Sequence, residues 1–212
     1  MAYDKIVDSA KLDADLTMVA DAIRARAGTS EPLAFPEGMK DAVEGIPDLL
    51  ELRLTNKLAK YSNSNPIELQ NRCFAECSML TEIDLPNATY LGTSAFEKCT
   101  GLTCVEFPKA NYCNWTVFQG CTNLHTASFG TKLTLGAGAF KGCSALITVI
   151  LQGATMSILE QTWVFENTPI ESGSGYVYVP RALVDSYKSA TNWSAFASQI
   201  RAIEDYPEIT GG

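Results

Sequence analysis

Histidine occurs once in this sequence, at His125, and the seven cysteines include no C-x-x-C pair. A tetrahedral zinc site takes four Cys or His ligands at close spacing, and no such set is present. An odd number of cysteines also fits poorly with a closed disulfide framework. Four of the seven fall on a fixed spacing, so we expect structural free thiols. Long apolar runs are lacking. The longest aliphatic stretch, Ile147 to Leu151, is interrupted by Thr148 and is far too short to span a membrane. Basic residues are few. Sixteen Lys and Arg against 24 Asp and Glu give a net charge of −8. Residues 1–50 hold ten acids against five bases, which places −5 of that charge there. An acidic surface repels phosphate, which argues against a nucleic-acid partner and against docking on anionic lipid. Met1 to Asp8 carries acids where a signal peptide needs lysines and has no apolar core, so no export signal is expected.

What is present is a repeat of 22 residues. Phe74, Phe96, Phe118 and Phe140 are spaced by that period, as are Cys77, Cys99, Cys121 and Cys143, and Leu80, Leu102, Leu124 and Leu146. The clearest copy runs Phe96-Glu97-Lys98-Cys99-Thr100-Gly101-Leu102-Thr103-Cys104-Val105-Glu106-Phe107-Pro108. The end of each copy alternates, which predicts a short strand with one buried face. Ile83 and Leu85, Val105 and Phe107, Ala127 and Phe129, and Val149 and Leu151 point inward on this reading. Pro86 and Pro108 stop their strands, because proline cannot donate to a ladder. The F-x-x-C-x-x-L part has apolar residues three apart, which predicts a helical or 3₁₀ turn with cysteine at its inner bend. A second short segment follows, at Tyr90-Leu91, Tyr112-Cys113 and Thr134-Leu135, punctuated by Gly92 and Gly136. One unit cannot bury its own apolar side. Stacked units share a core, with Phe over Phe and Leu over Leu.

Both ends depart from the period. Phe165 lies 25 residues after Phe140, with Thr168 near the cysteine position, and a flexible loop is expected at Glu171–Gly175. Tyr176–Val179 predicts a strand. Pro180 opens a helix to about Ala190 with Leu183, Val184 and Tyr187 on one face. Trp193, Phe196 and Ile200 extend the apolar surface, and Trp193 reads as the core of a cap. On the other side Leu49 to Leu54 alternates as a strand, with Lys57 to Tyr61 as its partner in an N-terminal cap. Residues 1–46 predict two short helices. Leu16, Val19, Ala20 and Ile23 lie on one and Met39, Val43 and Ile46 on the other, ended by Gly28 and Gly45. They form either a pad on the first repeat or a docking or homo-oligomerisation module. The division is therefore 1–46, then 47–179 as repeats with their cap, then 180–212 as C-terminal cap and tail.

The chain offers few candidates for catalysis. His125 matches Thr81, Thr103 and Ile147 in other copies, so it reads as a surface position on a repeat strand rather than a general base. Gly136-Ala137-Gly138-Ala139-Phe140 lacks the third glycine of a phosphate loop and reads as a repeat turn. Asp84 and Glu106 lie on an open surface, as solvated carboxylates rather than an acid–base pair. Asn87-Ala88-Thr89 and Asn114-Trp115-Thr116 match glycosylation sequons, to which no weight attaches without an export signal. The expectation is a protein that is not an enzyme and has no cofactor or metal.

Two surfaces remain for a partner. If the strands stack in parallel, the outward positions form one ladder of Glu82, Cys104, Thr126 and Thr148 and another of Asp84, Glu106, Ser128 and Ile150. That face runs from acidic to small and apolar. On another edge Tyr90, Tyr112, Trp115 and Trp163 offer aromatic anchors, or else pack between turns.

The pattern A-F-x-x-C-x-x-L-x-x-I-x-L-P over about residues 70–180 resembles the BspA-type leucine-rich repeats of bacterial surface and phage-borne proteins. The resemblance implies an α+β solenoid, right-handed and with short strands, that binds rather than catalyses. Asp8-Ser9-Ala10-Lys11-Leu12-Asp13, Ala22-Ile23-Arg24-Ala25-Arg26 and Leu33-Ala34-Phe35-Pro36-Glu37-Gly38-Met39 resemble the N-terminal module of phage and prophage tail or baseplate-associated proteins. Val177-Tyr178-Val179-Pro180, Leu183 to Lys188 and Thr191-Asn192-Trp193-Ser194 resemble the cap that such proteins carry. This second resemblance implies a virion location, other tail proteins as partners, and a host-surface protein or glycan as ligand. The alternative is a bacterial cell-surface or secreted adhesin of the same repeat class.

Overall fold

The structure, a computed structural model, describes residues 58–210. The two N-terminal helices expected in 1–46 and the strand expected at 49–54 lie outside the described residues. Within them, short strands alternate between two sides of the repeat. One side carries β1 (Lys60–Ser62), β3 (Glu82–Asp84), β5 (Cys104–Phe107), β7 (Thr126–Phe129), β9 (Thr148–Leu151), β11 (Tyr176–Val179) and β12 (Ile200–Ala202). The other carries β2 (Ile67–Leu69), β4 (Ala88–Leu91), β6 (Tyr112–Cys113), β8 (Thr134–Leu135) and β10 (Ile158–Leu159). Every pairing among these strands is parallel, and Val105, Ala127 and Val149 align in the same row 22 residues apart. This is a repeat fold with parallel sheets, in which each chain segment lies beside its counterpart in the next copy.

The interior follows from the period. Phe74, Phe96, Phe118 and Phe140 stack with ring centroids 5.3 Å apart and planes within 7° of parallel. Phe165 continues the column at 5.8 Å. A second column joins Phe107 and Phe129 at 6.3 Å. The repeat cysteines and leucines are all buried. Each of three thiols donates to the phenylalanine carbonyl of the preceding copy: Cys99 to Phe74, Cys121 to Phe96 and Cys143 to Phe118, all at 3.0 Å. A small, buried, weak donor suits this inner bend because a buried carbonyl without a partner is costly. None of the seven cysteines is joined in a disulfide.

The F-x-x-C-x-x-L segments are not helices. They are successive turns in which Cys77 N–H donates to Phe74 and Leu80 N–H to Cys77, each three residues back, and the later copies repeat this. Two left-handed residues per copy break any helix. Arg72, Ser94, Thr116 and Gly138 form one row, with φ from 54° to 65°. Glu76, Lys98, Gly120 and Gly142 form the other, with φ from 57° to 74°. These kinks turn the backbone outward, so that its N–H groups bond along the stack: Phe74 to Ala95, Phe96 to Val117, Phe118 to Ala139.

The ends correct several expectations. Lys60–Ser62 is a strand in register with β3, Lys60 opposite Glu82; its expected partner at Leu49–Leu54 lies outside the described residues. The expected loop at Glu171–Gly175 begins as a helical turn, α1 (Pro169–Ser172), which Thr168 caps and Gly173 ends at φ 87°. Thr168 also donates to the Phe165 carbonyl at 2.7 Å. After Pro180 the chain forms a 3₁₀ turn (Arg181–Leu183) and then α2 (Val184–Ser189), not one continuous helix. Tyr187 is buried, and Trp193 packs against it at 5.0 Å and against Phe165 at 6.3 Å. Phe196 meets Phe165 edge-on at 5.3 Å. The last phenylalanine of the column is thus covered, as a stack of repeats requires. The strand β12 was not expected. It pairs with β11 through Val177 to Ile200 and Val179 to Ala202.

Candidate functional site

The surface with the largest exposed aromatic groups lies at the corner after β6, β8 and β10. Trp115 is 57 % exposed and Trp163 42 % exposed. Both line an open cleft of about 540 Å³ with Thr93, Thr116, Ala137, Glu160 and Gln161. The repeat explains the cleft. Thr93, Trp115 and Ala137 occupy one row, 22 residues apart, so Trp115 stands between two small neighbours. Trp163 belongs to the next row, two residues before its phenylalanine, where Thr116 and Gly138 precede it. Gly138 sits at φ 65°, and a side chain built there would meet the Trp163 ring at 2.7 Å. The missing side chain at Gly138 lets the Trp163 ring lie against it, and Ala137 lines the cleft beside them.

The polar groups of the cleft are fixed. Tyr112 Oη donates to Glu160 Oε1 at 2.8 Å, and Trp115 Nε1 approaches Oε2 at 3.3 Å. The Glu160 carboxylate has no basic residue paired with it among the described salt bridges. It holds the Tyr112 hydroxyl proton, so the Tyr112 pKa is raised above the ordinary tyrosine value, first through that hydrogen bond. Asn192 Nδ2 donates to the carbonyls of Leu159 and Glu160 at 2.7 and 2.9 Å, closing the edge of β10. Asn192 thereby holds the backbone from which the Glu160 side chain extends. Lys141 Nζ lies 5.8 Å from the Trp163 ring centroid and pairs with Glu166 at 2.9 Å.

The four expected aromatic anchors divide into two pairs. Tyr90 and Tyr112 are half-buried and stack on each other at 5.7 Å along the sheet. Asn114 Nδ2 donates to the Tyr90 hydroxyl at 2.5 Å. Those two pack between copies, whereas Trp115 and Trp163 stand out into solvent. Glu160 and Gln161 were not singled out in the sequence, because they fall in the long fifth copy, where the period gives no register.

The outward ladders of the other sheet are only partly continuous. Thr126 pairs with Cys104 and Thr148, and Ser128 with Glu106 and Ile150. Glu82 and Asp84 do not join them. Among the described strands β3 pairs with β1, and no pairing links it to β5. Asp84 would face Glu106 across that gap, and like charges opposite one another disfavour pairing. Glu82, Asp84, Cys104 and Glu106 are exposed there, lining a cleft of about 340 Å³ with Pro86 and Pro108. Glu82 is ion-paired with Lys60. Thr126, Ser128 and Thr148 are half-buried. Ile150 is a correction: it is 3 % exposed, not part of an open face. Its row continues into Tyr178, and Tyr206 packs edge-on against Tyr178 at 5.2 Å, so the aromatic end of the sheet closes over it.

His125 is exposed, with Nδ1 2.6 Å from the Asn123 carbonyl. Cys121, four residues earlier, is turned inward to Phe96. Among the described residues no group of three or more His, Cys, Asp or Glu is arranged to hold a metal ion, and no helix is long and apolar enough to cross a membrane. No curated protein matches the chain. Residues 58–173, more than half of its length, match the BspA type leucine rich repeat region in six copies, and the chain therefore belongs to that family.

Proposed function

We propose that this chain is a non-enzymatic binding component of a phage or prophage tail, docked or oligomerised through residues 1–46, that offers its repeats to a protein or glycan on a host surface. Its family is generally non-enzymatic, and a leucine-rich-repeat domain suggests a protein-binding role. On this reading residues 47–179 form a solenoid with its N-terminal cap, 180–212 form the C-terminal cap, and the N-terminal helical pair joins the particle. The observation that carries the binding role is the pair of solvent-facing indoles, Trp115 and Trp163, which border one cleft. Exposed tryptophan is costly unless a partner covers it, and tryptophan is enriched where binding energy concentrates. The tail assignment rests on the resemblance of Asp8–Met39 to tail-associated modules. The family also supports a second reading, a bacterial cell-surface or secreted adhesin. Mass spectrometry of purified particles from an induced lysogen carrying this gene tests the first. The chain is expected at a fixed ratio to the tail proteins. Absence from particles, with the chain recovered from the cell envelope, would overturn it in favour of the adhesin.

A further inference from the structure

Resting on the reading of this chain as a binding module, we infer that the Trp115–Trp163 cleft is a carbohydrate site in which a sugar ring stacks on the exposed indoles. The two indoles border one cleft: the Trp115 ring turns its Nε1 edge to Glu160, and the Trp163 ring lies against Gly138 of the intervening copy. Both remain exposed, at 57 % and 42 %. The volume of about 540 Å³ lies within the ~300–1,000 Å³ range of small-molecule sites.

The chemistry of the walls selects the ring. A pyranose presents C–H groups on its faces and hydroxyls around its rim. The indole faces carry negative quadrupole density, which attracts the polarised C–H face. The rim meets Glu160, Gln161 and Thr93, which offer carboxylate, amide and hydroxyl groups. The carboxylate is already oriented by Tyr112 and Trp115, and its backbone is held by Asn192, so little is lost in ordering it. Thr116 shares a hydrogen bond with Ser94 at 2.9 Å and so contributes its methyl to the floor instead. A purely apolar ring would cover Glu160 without meeting the acceptor capacity that Tyr112 and Trp115 leave over, whereas a sugar hydroxyl would donate to it. A protein surface would be expected to bury about 800 Å² on each side around an apolar centre. Here the two indoles are ringed by Thr, Gln and Glu within one small cleft.

The test uses the full chain, fluorescently labelled, on an array of bacterial and animal-surface oligosaccharides, followed by titration of the retained sugars against intrinsic tryptophan fluorescence. The expectation is retention of at least one sugar class with quenching or a blue shift on binding. Trp115→Ala and Trp163→Ala should each weaken binding by roughly tenfold or more. Ala137→Leu narrows the cleft while keeping both indoles and should weaken it comparably, and Glu160→Gln should weaken it less. Ser128→Ala, on the other sheet, should leave it unchanged. Equal thermal melts show that each variant is folded, and Ala137→Leu keeps the test decisive if Trp163→Ala is not. A blank array, or retention that Trp115→Ala, Trp163→Ala and Ala137→Leu all leave intact, overturns the inference. Loss of binding to a purified protein ligand in Trp115→Ala, with a blank array, would assign the cleft to protein instead. In either of those cases the chain's presence in particles would leave the tail reading standing.

Discussion

Phe118 is the residue at which the repeat is easiest to test. It stacks on Phe96 and Phe140 at 5.3 Å on either side, and it is fully buried. Truncation removes roughly 150–250 Å² of apolar surface from the stack and leaves a hole between two rings that the backbone ladder holds in place. Phe118→Ala is expected to cost ~3–5 kcal/mol in urea unfolding. A measured loss under about 1 kcal/mol would mean that the column contributes little. This position was legible in the sequence because spacing alone aligned four phenylalanines. The outer residues were legible less well. Ile150 has the alternation of an outward position, yet Tyr178 and Tyr206, remote in sequence, close over that end of the sheet.

At the scale of the element, the turn segment shows where periodicity misleads. Apolar residues three apart suggested a helix or 3₁₀ turn, and the i to i−3 hydrogen bonds are indeed there. Two left-handed residues in each copy then bend the chain. Gly120 and Gly142 hinted at one of those rows, but Glu76 and Lys98 hold the same conformation in the earlier copies. Side chains of that kind accept the left-handed region at a cost of roughly 1–2 kcal/mol, repaid by the hydrogen bonds along the stack. Gly142→Ala isolates the backbone term, since the added methyl would meet only Gly120 at an ordinary 3.7 Å. Thermal or urea unfolding of Gly142→Ala should show a loss of about 1–2 kcal/mol. No loss would mean that the kink is free to relax. β12 was missed for a related reason. Three residues, Ile200-Arg201-Ala202, carry no period of their own, and only the edge of β11 makes them a strand.

Over the whole molecule, the buried thiols tie stability to pH. Burial pushes the Cys99, Cys113 and Cys143 thiols up, well beyond the ordinary cysteine value, chiefly because an ionised thiolate would lose its water. The unfolded chain releases those protons near pH 8.5 while the folded chain keeps them. Stability is therefore complete below about pH 8.5 and falls as pH rises through and beyond it. Under reducing conditions the melting temperature should be level at neutral pH and drop progressively toward about pH 10. A level profile across that window would show that the thiols are not shielded. The same closure operates at the C-terminal end. Trp193 Nε1 donates to the Ser157 carbonyl at 2.9 Å, and the Tyr187 hydroxyl accepts from Ser157 N–H at 2.7 Å. Tyr187 and Trp193 thus also fix Ser157, at the start of the segment that runs through β10 to Glu160.

The sequence by itself determined the period, the buried columns, the strands of the regular copies and the family. All of these follow from local spacing, because each copy repeats the same residues in the same order and neighbours in the stack are neighbours in register. The tertiary structure alone decided which outward residues are open. It set Tyr90 and Tyr112 into the stack, broke the ladder between β3 and β5, covered Ile150, and brought Glu160 from the irregular fifth copy to Tyr112 and Trp115. The physical reason is that exposure depends on what packs over a side chain from elsewhere in the chain. No period within one copy encodes the bends, caps and charge repulsions that set it.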